Sequence, residues 1–491
     1  MPGMDGRGKD RRPAPHLGSD PLGSAAPCLS GAHKPRESDQ SDAADRRRIL
    51  GDCIMTKTPP PEGYLFSKAY TAYVFLLLWL LYFFDYVDRM VVVSLFPFLK
   101  ADWGLTDAQC GAMVSAVYWA IVLFSFPVSI IIDRWSRKKS IGIMAVLWSL
   151  ATAACALTKN FGQLFVARTL IGIGEAGYAP GGTAMISALY PEKRRAFMVG
   201  IWNASIPIGM AAGIVIGGLI ASHWGWRHAF GIVALPGLVI AVLFFFVKDY
   251  KTVGLEKTVA QIEAEKKSGS VTKKMGKMDI VRTFAGTPSL LLTYFGFAGM
   301  MFTSISMSTF LPTYFQRVHG FPLQKATLLA SGIMLTSIIG SPLGGWIADT
   351  WMKKRTDARL LVPSISALLA AVLFIGGFHL FSGGTVQYVI FLLAGIASIA
   401  WASSAIAVTQ DVVHPGLRAV SYALCVVTQN LLGSSLGPVV TGAFSDRYGI
   451  LVALEIASAM SLASCVLFYL GSRFYKRDLE NVERVILTPE N

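Results

Sequence analysis

From residue 68 onward the chain is a succession of long, unbroken apolar runs separated by short polar loops. A helix of roughly 20 apolar residues spans the hydrocarbon core of a bilayer. About twelve runs of that length can be marked off, over 68–97, 106–132, 140–158, 162–189, 196–221, 228–248, 287–315, 324–349, 360–381, 385–411, 419–443 and 450–474. Only helices and closed barrels satisfy their backbone groups in lipid. Barrel strands alternate over about ten residues, whereas these runs are continuous, so helices are expected. The chain is 53% hydrophobic and only 15% charged, against about 25% charged in a soluble domain. The expected fold class is an all-α membrane protein with twelve transmembrane helices in two six-helix bundles.

The polar stretches divide the chain. Residues 1–66 are rich in Pro, Gly, Ser, Asp and Arg, with almost no apolar periodicity, and are expected to be a disordered tail. Translation from Met55 is the alternative, since the sequel MTKTPPPEGYLFSKAY reads as an ordinary short lead-in. The amino-terminal bundle is expected over 67–248, a charged connector over 249–286, the carboxy-terminal bundle over 287–474 and a short tail over 475–491. Basic clusters fall in alternate loops: Arg134, Arg137, Lys138 and Lys139, then Lys193, Arg194 and Arg195, then Lys353, Lys354 and Arg355, then Arg418. The excess of Lys and Arg places these loops, the connector and both termini on the cytoplasmic side of a cell (inner) membrane. That bias also accounts for the formal charge of +14 without nucleic acid.

The two groups of spans repeat. Asp133 and Asp349 each end a span before a basic cluster, an offset of 216 (349 − 133). Pro191 and Pro415 open corresponding loops, an offset of 224 (415 − 191). The second offset carries Gly209 onto Gly433 and Gly213 onto Gly437. Two halves in parallel topology are the architecture of a rocker-type secondary transporter. No H-E-x-x-H, paired His cluster or G-x-S-x-G is present, so an enzyme is not expected. Six cysteines without a C-x-x-C pair suggest neither a metal nor a disulfide framework.

The fourth span contains RTLIGIGEAGYAPGG, with Gly172, Gly174 and Gly177 spelling G-x-G-x-x-G. A dinucleotide turn would need a preceding strand and a helix starting at the glycines; these lie inside an apolar span. Small residues let membrane helices approach closely, and Gly177 with Gly181, and Gly209 with Gly213 and Gly217, are spaced for that use.

Charges inside such spans need a reason, because each costs about 3 kcal/mol at a helix centre on insertion scales. The first span holds Asp85, Asp88 and Arg89, and the fourth holds Arg168 and Glu175. At 1.5 Å per residue, Asp88 lies about 13 Å below the outer end of the first span if that end is Pro97, and Arg168 about 10 Å below Phe161. Asp88 and Arg168 are therefore candidate counter-ions. Asp85 and Glu175 share a level near mid-membrane, about 18–21 Å down. A carboxylate that gains and loses a proton there is a minimal proton-coupling device. The proton is the expected coupling ion, and no other cofactor is expected.

From about Ser67 the order of features resembles the major facilitator superfamily. Its loop motif is matched by Ser129-xxx-Asp133-Arg134-xx-Arg137-Lys138, and again by Gly345-xxx-Asp349 with Lys353 and Lys354. Within the superfamily the strings YVDR, DRWSRKK, ARTLIGIGEAGYAP, QRVHG and VVHPGLRA with NLLGSSLGP resemble Spinster-like transporters, and YVDR and GIGEA also occur in organic-anion symporters. The resemblance implies alternating access, a coupling cluster of Asp88, Arg89, Arg168 and Glu175, and a cytoplasmic latch at Asp133, Arg134, Arg137, Lys138, Gly345, Asp349 and Lys353. Asp85 departs from the pattern, since relatives commonly have Asn there. Arg89 and Arg168 are expected to meet an anionic substrate group. Asn203, Gln410, Gln429, Asn430, Trp401 and Tyr294 are further candidates to line a cavity. The expected function is a proton-coupled transporter of an organic anion or small amphiphile, acting as a monomer in the lipid bilayer. An uncoupled facilitator, or an exporter of lysolipid or sphingoid-like lipids, is the alternative.

Overall fold

The computed structural model describes residues 64–134, 136–248, 284–380, 384–414 and 417–482, without the side chains of 129–134, 192, 196 and 419. The tail before residue 64, the alternative start at Met55 and most of the connector lie outside these residues.

Twelve helical segments cross the molecule in chain order. In the first half they are α1 (Lys68–Trp103), α2 (Asp107–Arg134), α3 (Arg137–Cys155), α4 in two pieces (Phe161–Glu175 and Tyr178–Leu189), α5 in two pieces (Glu192–Asn203 and Ser205–Trp224) and α6 (Trp226–Phe245). In the second half they are α7 (Pro288–Arg317), α8 (Leu323–Leu335 and Ser337–Met352), α9 (Ala358–His379), α10 (Thr385–Ala400 and Ala402–Asp411), α11 and α12 (Ile450–Glu480). The α11 segment runs Arg418–Thr428, a π-helical turn Gln429–Ser434, then Leu436–Tyr448. By length and composition, nine helices among the described residues can cross a membrane. The other three include α1 and α4, which carry the intramembrane charges.

Local chemistry sets the ends. The Ser67 and Asn160 side chains accept from the backbone N–H of Tyr70 and Gln163, capping α1 and α4. The α1 helix continues through Pro97 to Trp103, further than the apolar run, and stops where Gly104 adopts φ 65° and donates to the Lys100 carbonyl. The last helix also outruns its apolar stretch, because Asp478 is buried and accepts from the Ser289 backbone at 2.9 Å, satisfying the start of α7.

The repeat in the sequence is a repeat in the backbone. Left-handed glycines end α1 and α7 at Gly104 and Gly320, 216 apart (320 − 104), and join α5 to α6 and α11 to α12 at Gly225 and Gly449, 224 apart (449 − 225). The break in α4 at Gly177 and that in α10 at Trp401 are also 224 apart (401 − 177).

Lipid tails are as apolar as leucine, so these helices associate by close packing rather than by hydrophobic burial. The α5 glycines do this against α1. A Cβ on Gly209 would stand 2.5 Å from the Phe83 carbonyl oxygen, one on Gly213 2.6 Å from that of Val87, and one on Gly217 2.5 Å from Ser94 Oγ. Their equivalents do the same in the second half, where Gly433 faces the Ala298 carbonyl at 2.5 Å and Gly437 that of Phe302 at 2.9 Å. In α4 tight contacts are made by Gly172 against α2 and Gly174 against α3, and Gly177 stands at the break between its two pieces. Two of the three glycines that mimic a nucleotide fingerprint, Gly172 and Gly174, are thus packing residues.

The halves meet through α2 with α11 and α5 with α8. At the face opposite the basic loops, the Asp107 carboxylate at the start of α2 receives both terminal nitrogens of Arg317 from α7 at 2.6 and 2.8 Å, and Ser445 Oγ from α11 at 2.7 Å. Lys100 Nζ approaches the same carboxylate at 2.5 Å. The Asp446 carboxylate in turn accepts from the backbone N–H groups of Asp107 and Ala108 at 2.7 and 2.8 Å, an anion at a helix N-terminus. Alongside, Gln324 Nε2 donates to Ser222 Oγ at 3.2 Å and Ser331 Oγ to the Ala211 carbonyl at 3.1 Å.

Candidate functional site

The charges of α1 and α4 converge inside the first half. Asp85 and Arg89 are four residues apart and share a face of α1; Glu175 ends the first piece of α4, directly before its break. Arg89 lies between the two acids, with Nη2 2.8 Å from Asp85 Oδ2 and Nε 2.9 Å from Glu175 Oε2. Both carboxylates have fully buried side chains, and that of Arg89 is only 10% exposed. The approach is close but bent, so these oxygens form ion pairs without well-aligned hydrogen bonds. The guanidinium also lies 4.6 Å above the Tyr86 ring and 5.8 Å from that of Tyr118, an arrangement favourable to a planar cation.

Arg168 behaves differently. It is wholly buried and donates from Nε to the Met113 carbonyl at 3.2 Å, from Nη1 to that of Asp88 at 2.7 Å and from Nη2 to that of Arg89 at 2.8 Å. The expected pairing of Arg168 with the Asp88 carboxylate is thus replaced by a clamp on the backbones of α1 and α2. Guanidinium carries a fork of five donors and can saturate several carbonyls at once. Sequence spacing places the residue at the right depth but does not reveal which oxygens the fork will reach. The Asp88 carboxylate is buried, with no well-aligned hydrogen bond to either oxygen among the described residues, and Thr152 and Arg168 are among its polar neighbours.

Toward the basic face the cluster rests on an aromatic floor that sequence patterning did not single out. Tyr178 begins the second piece of α4 and donates to the Leu78 carbonyl at 2.5 Å; Trp202 Nε1 reaches the same oxygen at 3.4 Å. Tyr82 stacks on Trp202 with centroids 4.1 Å apart and planes 11° off parallel, and Trp148 packs edge-on to Tyr178. The signal that could have found it is positional: Tyr82 and Tyr178 each lie three residues from an acid, Asp85 and Glu175, the spacing of one turn in an unbroken helix.

Other candidates separate. Trp401 is fully buried against Phe297, and Tyr294 bonds Ser421 at 2.8 Å, so both serve packing within the second half. Asn203 and Gln410 are exposed, while Gln429 and Asn430 are half-buried in the π-helical turn of α11. The first copy of the loop motif is only partly visible: the side chains of Asp133 and Arg134 lie outside the described residues, and Arg137 and Lys138 open α3 half-buried. In the second copy Gly345 abuts Ser403. Asp349 is 74% exposed and 3.8 Å from Arg359, and Lys353 is exposed at the end of α8. Arg359 instead pairs with Asp411.

Two pseudo-equivalent six-helix halves, with a charged cluster sunk in one of them, define a multi-pass membrane transporter. The Major Facilitator Superfamily model matches residues 78–438, and the chain belongs to that superfamily. It is 27% identical over 375 residues to the hexuronate transporter of Bacillus subtilis (strain 168), covering 74% of this chain and 86% of that one. It is 26% identical over 385 residues to protein spinster homolog 1 of Homo sapiens, covering 74% and 71%. Among solved structures, a bacterial homologue of the human lysosomal transporter Spinster, inward-facing and unoccupied, superposes with a TM-score of 0.72 at 22% identity, covering 84% and 99%. The expected superfamily and its Spinster-like character are met by these findings.

Proposed function

We propose that the chain is a proton-coupled transporter of small organic anions, working by alternating access, with the basic loops cytoplasmic and Arg89 as the anion-binding group. The observation that carries this reading is the position of Arg89 between Asp85 and Glu175. The buried cluster holds three carboxylates (Asp85, Asp88, Glu175) and two guanidiniums (Arg89, Arg168), a formal net charge of −1 (2 − 3). A net charge buried from water is costly, and one proton cancels it. An incoming carboxylate needs Arg89 and brings a further negative charge. It binds when Asp85 or Glu175 takes a proton and lets the guanidinium go. Protonation and anion binding are then two halves of one exchange of partners, which couples the fluxes.

The names of relatives support the substrate class. Besides the hexuronate transporter, a probable L-galactonate transporter of Escherichia coli (strain K12) is 25% identical over 313 residues, and a probable sulfoacetate transporter of Cupriavidus necator is 26% identical over 305. All three names denote small organic anions. The closed polar cluster at Asp107 supports alternating access, since rocking one half against the other needs one face sealed while the opposite face opens.

The test uses the full chain in proteoliposomes, with uptake of galacturonate driven by an inward proton gradient. Glu175→Gln keeps shape and removes a titrating group. The reading expects uptake that no longer responds to the gradient, with galacturonate binding retained. Gradient-driven uptake unchanged in Glu175→Gln and in Asp85→Asn would remove the coupling assignment and leave an uncoupled facilitator.

A further inference from the structure

The second copy of the loop motif leaves its basic residues without a role in the site above, and they gather elsewhere. The loop joining α8 to α9 and the last turns of α12 enclose a cleft of about 440 Å³ lined by Lys354, Arg355, Thr356, Asp357, Ser472, Arg473 and Lys476. Four cations face one carboxylate there. Asp357 is already committed to Arg355, which reaches it from Nε at 3.0 Å and from Nη2 at 2.7 Å. Arg473 donates to the Tyr469 hydroxyl at 2.5 Å and lies within range of the charges of both Arg355 and Asp357. Among the described residues no carboxylate pairs with Lys354, Arg473 or Lys476. Three cations thus converge on one cleft with a single carboxylate, which Arg355 already holds, so among the described residues the cleft carries an excess of positive charge that favours an anion.

Two plainer accounts fall short. Cations do favour helix C-termini, but Arg473 and Lys476 lie seven and four residues before the end of α12 at Glu480. The bias of basic residues toward one membrane face accounts for their sign, not for their convergence from two separate elements. The surroundings say what kind of anion fits. Val466, Leu470 and Phe474 follow one another at four-residue spacing along α12, exposed by 55, 43 and 36%, and this apolar stripe runs up to the cleft. The cleft therefore opens where hydrocarbon meets the polar layer, with Tyr469 at the boundary, as interfacial tyrosines are placed. A phosphate there would meet guanidinium and ammonium donors and the exposed Thr356 hydroxyl, while an acyl chain attached to it would lie along the stripe.

We propose that this cleft binds the phosphodiester headgroup of an anionic membrane lipid, the kind of basic pocket at a membrane face that retains such lipids. The site lies outside the buried cluster of α1 and α4 and does not depend on the transport reading.

The test uses the full-length protein, purified in detergent and stripped of lipid, with native mass spectrometry to count bound ligand. Three probes are offered: dioleoylphosphatidylglycerol, dioleoylphosphatidylcholine and inorganic phosphate. The anionic lipid is expected to bind at least about tenfold more tightly than the zwitterionic one. The double variant Arg473→Gln, Lys476→Gln is expected to lose about tenfold or more of that affinity, from the loss of two cations near the headgroup. The control Lys193→Gln, Arg194→Gln removes two exposed cations from the first turn of α5 and is expected to change nothing. Equal retention of both lipids, equal losses in cleft and control variants, or inorganic phosphate displacing the lipid at matched concentration would each overturn the proposal. Should the double variant melt early, Lys354→Gln on the other wall replaces it, and unchanged lipid affinity there overturns the proposal as well.

Discussion

The two halves share a backbone plan and differ in what they bury. With the offset of 216, Asp85, Asp88 and Arg89 of α1 correspond to Met301, Ser304 and Ile305 of α7; with 224, Arg168 and Glu175 of α4 correspond to Leu392 and Ile399 of α10. Every charged member of the cluster therefore has an uncharged counterpart at the same place in the repeat. The second half has in their stead hydroxyls bonded between its own helices, such as Thr303 of α7 to the Ala457 carbonyl of α12 at 2.7 Å, and Trp401 packed against Phe297 at 4.2 Å. The architecture does not need buried charge to form. The charges in the first half are an addition that the scaffold tolerates because Arg89 is shared by two acids and Arg168 is saturated by carbonyls.

The largest effect that contrast predicts is at Arg89. Arg89→Ala strands two buried carboxylates, and breaking a buried charge arrangement costs about 3–5 kcal/mol. Its counterpart Ile305→Val removes one methylene from a packed site and costs about 0.5–1.5 kcal/mol. Thermal unfolding of the purified variants, side by side, checks the difference. Equal shifts would mean that the cluster is not energetically special.

Next is the bond between the halves. Arg317→Ala removes the bidentate partner of Asp107, and Arg359→Ala removes a pair that lies within the second half alone. The first is expected to shift the equilibrium between open and closed forms of that face by about tenfold, within the usual 1–3 kcal/mol of conformational coupling. The second is expected to leave it in place. Distances between spin labels on the two halves at that face report the outcome, and a matching shift in both variants would break the distinction.

Packing should show symmetry where the charges do not. Gly213→Ala and Gly437→Ala occupy repeat-equivalent positions against α1 and α7, and each forces a carbonyl aside. Overpacking costs about 1–3 kcal/mol, and the two losses in unfolding free energy should agree within a factor of about two, the usual scatter between contexts.

The smallest effect concerns His319, in the loop between α7 and α8, which bonds the Tyr314 hydroxyl at 3.2 Å. Partial burial holds its imidazole below the ordinary value. The folded state therefore binds the proton less readily than the unfolded chain, so stability falls slightly as pH drops below about 6.5. His319→Gln should flatten that slope, measured as melting temperature between pH 7 and 5.

Much of the fold is legible in the order of residues alone. Span number, the midpoint division and the repeat follow from apolar run length and from paired Asp, Pro and Gly positions, because a bilayer imposes one length and one backbone solution on every crossing. Hidden from such patterns are the breaks at Ala176–Gly177 and Trp401, the extension of α1 through Pro97, and the floor of Tyr82, Tyr178 and Trp202. These depend on contacts between elements far apart in the chain. The candidate site shows the same division. Depth counting brings Asp85 and Glu175 to one level, and Arg89 joins them in the fold. The same counting pairs Arg168 with Asp88, and the fold gives that guanidinium to carbonyls.

The sequence by itself determined that this is a helical membrane protein of two repeated halves carrying intramembrane charge, because solvent and chain length allow little else. Only the tertiary structure decided that Arg89 serves two acids and Arg168 three carbonyls, and at which face Asp107 ties the halves together. The physical reason is reach: periodicity places a Cα at a depth and on a face, but a long side chain chooses among partners several ångströms apart. Those partners come from helices whose relative placement no single run of residues encodes.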